Sequence, residues 1–244
     1  MRIGIAAMMG VVLAFAPSAW AGGKPSLEAL ATDDLHDLQA SVTVVKADQT
    51  ELAKINRDFG FAYRLRDVVM RYKQPDKLRM EGRIGDTPAE YVVNGSTRTL
   101  AIPRLHFRKR DELGEAPGRR YSLLDLGLVA RSDLPFIHSK YLRDEDVAGV
   151  ATNVFELTFR GDSRLKYVLW VDPRTRVVRK RQWFDGDGKL KATFLYKDVK
   201  EVQDGLWFPT RVEILNGEGA LAAVTQYSDL RINQGLADGL FEVS

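Results

Sequence analysis

LKYVLWVDPRTRVVRKRQWFDGDGKLKATFLY (residues 165–196) decides the fold class. Leu165, Tyr167, Leu169 and Val171 recur at every second position, and Asp172-Pro173-Arg174-Thr175 then turns the chain. A second strand is predicted over Val177–Phe184. Asp185-Gly186-Asp187-Gly188 turns it into a third, Leu190–Val199, with Leu190, Ala192, Phe194 and Tyr196 on one face. A period of two in β-branched and aromatic residues is the signature of a half-buried strand, and links this short join antiparallel neighbours.

The pattern continues in both directions. Phe208–Leu215 and Leu221–Ile232 follow, joined through Asn216-Gly217. His138–Asp144 and Val154–Arg160 precede, the latter leaving through Gly161-Asp162-Ser163. Further back lie Glu90–Val93, the hairpin signal Asn94-Gly95, Thr97–Ile102 and Leu105–Arg108. Residues 109–120 are charged and read as a loop. Leu78 and Met80 alternate with charges after the turn Gln74-Pro75-Asp76. Upstream, the facing flips from Phe61, Tyr63 and Leu65 to Val68, Met70 and Tyr72. Such a flip predicts a bulge near Arg66-Asp67. A chain of this kind is mainly β with helices (α+β): a sandwich, a barrel or an open curved sheet.

Two helical stretches are expected. From Ser26 to about Arg57, Leu35, Leu38, Val42, Val45, Leu52 and Ile55 recur at spacings of three, four and seven, with Thr32-Asp33-Asp34 as capping residues. The β-branched run Val42–Val45 leaves a strand open there. Ser122–Ala130 reads as a short apolar helix closed by Ser132-Asp133-Leu134-Pro135.

Residues 1–21 have the three parts of a secretory signal: Met1-Arg2, the apolar run Ile3–Ala16, and a small-x-small end at Ala19-Trp20-Ala21. Cleavage after Ala21 is expected, giving an exported protein whose residues 22–244 form one domain. With zero cysteines, disulfides and thiolate metal sites are excluded. The net charge of +3 is mixed along the chain and gives no overall drive toward nucleic acid.

Catalytic chemistry is thin. His36, His106 and His138 have no histidine partner at metal-ligand spacing, and there is no Gly-x-Ser-x-Gly elbow, P-loop or dinucleotide fingerprint. Asp185-x-Asp187-Gly188 begins like a calcium loop but lacks the distal acid, and fits a hairpin turn better. The basic runs around His106 and over Arg174–Arg181 read first as solvated strand faces. No catalysis, metal or cofactor is expected. What the chain has in excess is apolar strand surface, which suits either a packed core or a cavity for an acyl chain.

The order of these pieces resembles the outer-membrane lipoprotein-sorting (LolA/LolB-like) periplasmic carriers. The pieces are the leading helix, Met70–Met80, Tyr91-Val92-Val93-Asn94-Gly95, the short helix, Tyr167–Thr175, Lys189–Tyr196, Asp204–Pro209 and Gly239-Leu240-Phe241. The resemblance implies an unclosed antiparallel β-barrel with a helical lid over an apolar cavity. It implies a monomeric periplasmic carrier for acyl chains of lipoproteins or lipids, moving them between membrane donor and acceptor proteins. The same cup serves, alternatively, as an envelope sensor or interaction module that binds a protein segment without transport. A secreted hydrolase is a third possibility. The lid candidates are Ser26–Arg57 and Ser122–Ala130. Strand alternation gives the expected lining as Leu78, Met80, Tyr91, Val93, Leu100, Ile102, Phe155, Leu157, Phe159, Leu169, Trp183, Phe194 and Tyr196. Arg79, Arg104, Arg108, Lys109, Arg110, Arg119 and Arg120 are candidates for headgroup or acceptor contacts. In the lipoprotein carriers an arginine precedes the proline of the Pro75 turn and helps to close the lid. Gln74 stands there in this chain, with Lys73 and Arg79 as candidate substitutes.

Overall fold

A computed structural model of the chain describes residues 24–56, 59–113 and 122–243. The signal expected over residues 1–21 lies outside them, as do Arg57, Arg119 and Arg120. The strands are β1 (Asp37–Ala47), β2 (Arg66–Lys73), β3 (Lys77–Ile84), β4 (Thr87–Asn94), β5 (Thr97–Ile102), β6 (Phe107–Glu112), β7 (Ile137–Val147), β8 (Val150–Phe159), β9 (Asp162–Val171), β10 (Val178–Phe184), β11 (Leu190–Gln203), β12 (Leu206–Asn216) and β13 (Leu221–Ile232). They form one sheet in the order β6-β5-β4-β3-β2-β1-β13-β12-β11-β10-β9-β8-β7. The sheet stays open between its edges β6 and β7, and gives the unclosed half-barrel.

This order follows from the links. The link carrying the helices at Gln49–Ile55 and Phe59–Ala62 returns the chain from β1 to pair as β2, short links lay β2 to β6 side by side toward one edge, and β7 to β13 lie side by side from the other edge back to β1. The chain must then travel from β6 to β7 outside the ladder, and residues 113–136 make that crossing. Of these, the described residues Ser122–Phe136 run over the concave face. A 3-10 turn at Leu123–Leu126 and another at Arg131–Phe136 shape the described part.

The long leading helix is absent. α1 is Leu27–Leu30, capped by Ser26, and α2 is Gln49–Ile55, capped by Asp48, whose carboxylate accepts from Thr50 and Glu51 N–H. Between them runs β1, in the middle of the sheet. The β-branched run decides it: Leu38, Val42 and Val45 fit a helical spacing, but Leu38, Ala40 and Val42 share one pleat face and Val42-Thr43-Val44-Val45 favours an extended chain. Thr32-Asp33-Asp34 caps no helix; Thr32 pairs with Ala130 in an isolated parallel bridge. The expected strand at Phe61–Leu65 is also corrected, because α3 (Phe59–Ala62) occupies it. The bulge near Arg66-Asp67 is present as a register shift between Arg66 and Val69, with Asp67 at φ +51°. Residues 109–112 belong to β6 rather than a loop.

The C-terminal segment wraps the convex face. Lys73 donates to Leu236 O at 2.8 Å, and Lys77 pairs with Asp238. Arg79 donates to the carbonyls of Leu240 (3.3 Å) and Glu242 (2.9 Å), and pairs with Glu90. These contacts bury Phe241 against the outside of the sheet.

Candidate functional site

Direct cross-strand partners share a face, so register fixes what lines the cup. Met70, Met80, Tyr91 and Leu100 are successive partners, as are Tyr72, Leu78 and Val93. Leu78 and Val93 pack with Leu38, Tyr72 and Phe208 in one buried cluster, with Met80 and Tyr91 against it. Phe155, Leu157, Leu169, Phe194 and Tyr196 form the other, flanked by Phe159 and Trp183. Leu100 lies half-buried on the same face, and Ile102 packs near Leu65, Val68 and Ala89. The predicted lining therefore points inward.

Among the described residues it does not surround an empty chamber. The segment from Ser122 to Phe136, here termed the plug, fills the space. Leu123, Leu126, Leu128 and Ala130 enter one cluster; Leu124 and Val129 enter the other. Beside the plug, a gap of about 20 Å³ remains between Ser122, Leu124, Val129, Asp133, Ile137, Leu157 and Phe159. A sizeable ligand needs ~300–1,000 Å³. A larger hollow of about 260 Å³ sits on the convex side, lined by Thr97, Thr99, Arg108, Arg110 and the tail Phe241–Val243.

The plug is held by directed contacts. Ser122 caps its first turn: the hydroxyl accepts from Leu124 N–H, and Ser122 N–H donates to Asp125 Oδ2 at 3.2 Å. Gly127, at φ +83°, ends that turn and lets the backbone lie against the Tyr196 ring. Val178 N–H donates to Gly127 O, and the Tyr196 hydroxyl donates to Leu124 O at 3.0 Å. Thr32 N–H donates to Val129 O, and Arg131 N–H to Thr32 O.

The centre of the site is a charge that sequence reading placed on the outside. A register shift between Val178 and Lys180 turns Arg181 into the cup. Its side chain is 5% exposed and pairs with Asp125 Oδ1 of the plug at 3.0 Å. The guanidinium lies over the Phe194 ring at 4.2 Å and the Tyr167 ring at 5.3 Å. Its Nε and the indole Nε1 of Trp183, two residues along the same face, are buried with no acceptor among the described residues. Burial holds the hydroxyl pKa of Tyr167 up at about 12, so it stays neutral and supplies no counter-charge.

Corrections follow for the basic candidates. Arg79 is 9% exposed on the convex face and committed to the C-terminal segment, so it neither meets a headgroup nor closes a lid. Lys73 binds that same segment, and Gln74 donates to Leu35 O at 2.5 Å. Arg104, Arg108, Lys109 and Arg110 are exposed on the turn before β6 and on β6, but they form no single patch. Pairing with Leu100 sends Lys109 to the inner face, and pairing with Ala101 and Thr99 sends Arg108 and Arg110 to the outer one. Asp185 accepts from Asp187 and Lys189 N–H as a hairpin turn, and no group of three potential ligands is placed for a metal among the described residues.

Asp133, half-buried on the plug, is pushed up to about 7: burial raises it most, the Ser122 hydroxyl pulls it back, and the charges of Asp125 and Asp76 raise it again. An acid that binds its proton more tightly when folded stabilises most below its unfolded value. That contribution is lost as pH rises from about 4 to 7. Asp133→Asn is expected to flatten the urea midpoint across this window and to gain ~1–2 kcal/mol at pH 7, well below the full shift because water reaches the group.

Comparisons place this geometry among known folds. A family described as "Uncharacterized protein" matches residues 118–244. No curated protein matches the chain. An outer membrane lipoprotein-sorting protein domain from Vibrio parahaemolyticus superposes with a TM-score of 0.59 at 17% identity, over 88% of this chain and 93% of that one. A LolA superfamily protein from Nitrosomonas europaea gives 0.55 at 18%, over 89% and 94%. A DUF1329 family protein from Desulfovibrio piger gives 0.55 at 16%, over 88% and 92%. The fold is LolA-like. No described helix is long and apolar enough to cross a membrane.

Proposed function

We propose that this chain, which belongs to the family of uncharacterized proteins so described and has a LolA-like fold, is a periplasmic carrier that binds acyl chains of a lipid or lipidated protein. Residues 22–244 act as one exported, monomeric unit that takes cargo from one membrane and yields it to another. Binding and release are the whole activity, with no bond made or broken.

The observation that supports this is the plug. An ordinary barrel core is filled by its own strands, whereas this one is completed by a connection between the two free edges of the sheet. The plug leaves the cup no room for an acyl chain, so loading requires residues 122–136 to withdraw. The exchange is close to balanced. Leu123, Leu124, Leu126, Leu128 and Val129 are buried, and at ~1.5–3 kcal/mol each they contribute about 7–15 kcal/mol. An acyl chain of ~15 methylenes contributes about 12 kcal/mol on the same scale. One chain can therefore displace the plug and later be displaced by it, which is what a carrier needs.

Delipidated protein mixed with dioleoyl phospholipid and read by native mass spectrometry is expected to gain the mass of one or a few lipids. A spectrum with no lipid adduct under conditions that keep the fold would remove the carrier reading. The alternative, an envelope module that binds a protein segment in the same cup, draws support from the plug being itself a peptide. It predicts capture of the free peptide of residues 122–136 by protein that lacks that segment's hold, and no lipid uptake.

A further inference from the structure

The plug provides more than bulk. Three donors of the cup wall point at it or at nothing: Arg181 Nη1 to Asp125 Oδ1, the Tyr196 hydroxyl to Leu124 O, and Arg181 Nε with no acceptor. Trp183 Nε1 adds a fourth, also without one. These groups lie among Phe194, Tyr167 and Phe155. When the plug leaves, a 5%-exposed guanidinium loses its only carboxylate partner among the described residues. A buried charge without a partner is far costlier than a buried pair. A plain hydrocarbon tail would fill the volume and leave that charge uncompensated.

We infer that the cargo of this cup is an acid-headed amphiphile, whose phosphate or carboxylate oxygens replace Asp125 on Arg181 and accept from Trp183 and Tyr196 while its chain replaces the plug leucines. The inference rests on the carrier reading and names its substrate class. The shared chemistry is an anionic oxygen group on an acyl chain. Arginine suits it, because its planar donors meet two oxygens at once and its charge persists at every physiological pH.

The test compares four probes on the intact mature protein by native mass spectrometry and competition: dioleoyl phosphatidylglycerol, oleate, uncharged dioleoylglycerol and inorganic phosphate. Both acidic lipids are expected to bind roughly 10- to 100-fold tighter than dioleoylglycerol, and phosphate alone not at all. Arg181→Gln combined with Asp125→Asn keeps a neutral hydrogen bond to the plug and is expected to remove the difference between the acidic lipids and dioleoylglycerol. Equal binding of charged and uncharged lipids by the wild type overturns the inference and leaves the carrier reading standing. A preference that survives the double substitution overturns it as well, since the acid would then be read elsewhere. No lipid binding of any kind removes both. The wild-type comparison needs no variant, so a double variant that fails to fold leaves the inference open to refutation.

Discussion

Asp125→Ala is expected to destabilise the protein by ~3–5 kcal/mol, and Arg181→Met by only ~1–2 kcal/mol, although the two changes break the same ion pair. The asymmetry comes from what each leaves behind. Without Asp125, the Arg181 guanidinium stays buried with 5% exposure and no carboxylate partner among the described residues. Ser122 N–H also loses its acceptor, so the first turn of the plug loses half of its capping box. Without Arg181, the Asp125 carboxylate is 33% exposed and keeps the Ser122 N–H, while methionine fills much of the space over Phe194. In the Arg181→Met background, Asp125→Ala should therefore cost only ~1 kcal/mol, the value of a lost cap. Urea unfolding of the four proteins gives the coupling directly. Equal losses for the two single variants would mean that Arg181 is not isolated from water.

Gly127→Ala is expected to cost ~2–5 kcal/mol. Part is backbone: at φ +83° an L side chain is strained, by ~1–2 kcal/mol. The rest is contact. A Cβ there would stand 2.7 Å from Tyr196 Cδ1 and 3.0 Å from Pro209 Cγ. Tyr196 is buried and tied through its hydroxyl to Leu124 O, so the ring cannot retreat and the plug must shift instead. Overpacking of this kind costs ~1–3 kcal/mol. Gly149 supplies the control, with φ +82° and nothing within 4 Å of the added carbon. Gly149→Ala should cost only the backbone part. Hydrogen exchange at Val178, whose N–H donates to Gly127 O at 2.9 Å, should accelerate in Gly127→Ala and not in Gly149→Ala.

The second half of the sheet was legible because its alternation is uninterrupted and its turns carry Asp, Gly, Pro or Asn. That same regularity put Phe155, Leu157, Phe194 and Tyr196 on the correct face. The leading segment was misread because Leu38, Val42, Leu52 and Ile55 satisfy a helical period across what are two elements. Periodicity cannot see the β1 to α2 boundary at Asp48, although Asp48 before Glu51 is a cap signal in plain view. Arg181 was hidden for a different reason. Taking Arg174–Arg181 as one solvated basic face set it apart from Trp183, although Arg181 stands two residues before Trp183 and shares its pleat face. A second signal lay at a distance: Asp125 is an acid inside an otherwise apolar stretch, and an inward acid calls for an inward cation. The plug's course was likewise a matter of topology, visible only once β6 and β7 are known to be opposite edges.

The central claim is that residues 122–136 occupy the cargo's place and must leave it for cargo to enter. Thr32 and Ala130 face each other across an isolated parallel bridge, both buried, in a chain with no cysteine of its own. Cysteines at these two positions tie the plug to the chain entering β1 when oxidised and free it when reduced. Lipid uptake by the double variant is then measured in both states by native mass spectrometry. Uptake by the reduced protein, with none after oxidation and recovery on re-reduction, is the predicted result. Equal uptake in both states would contradict the claim and put the lipid somewhere other than beneath the plug.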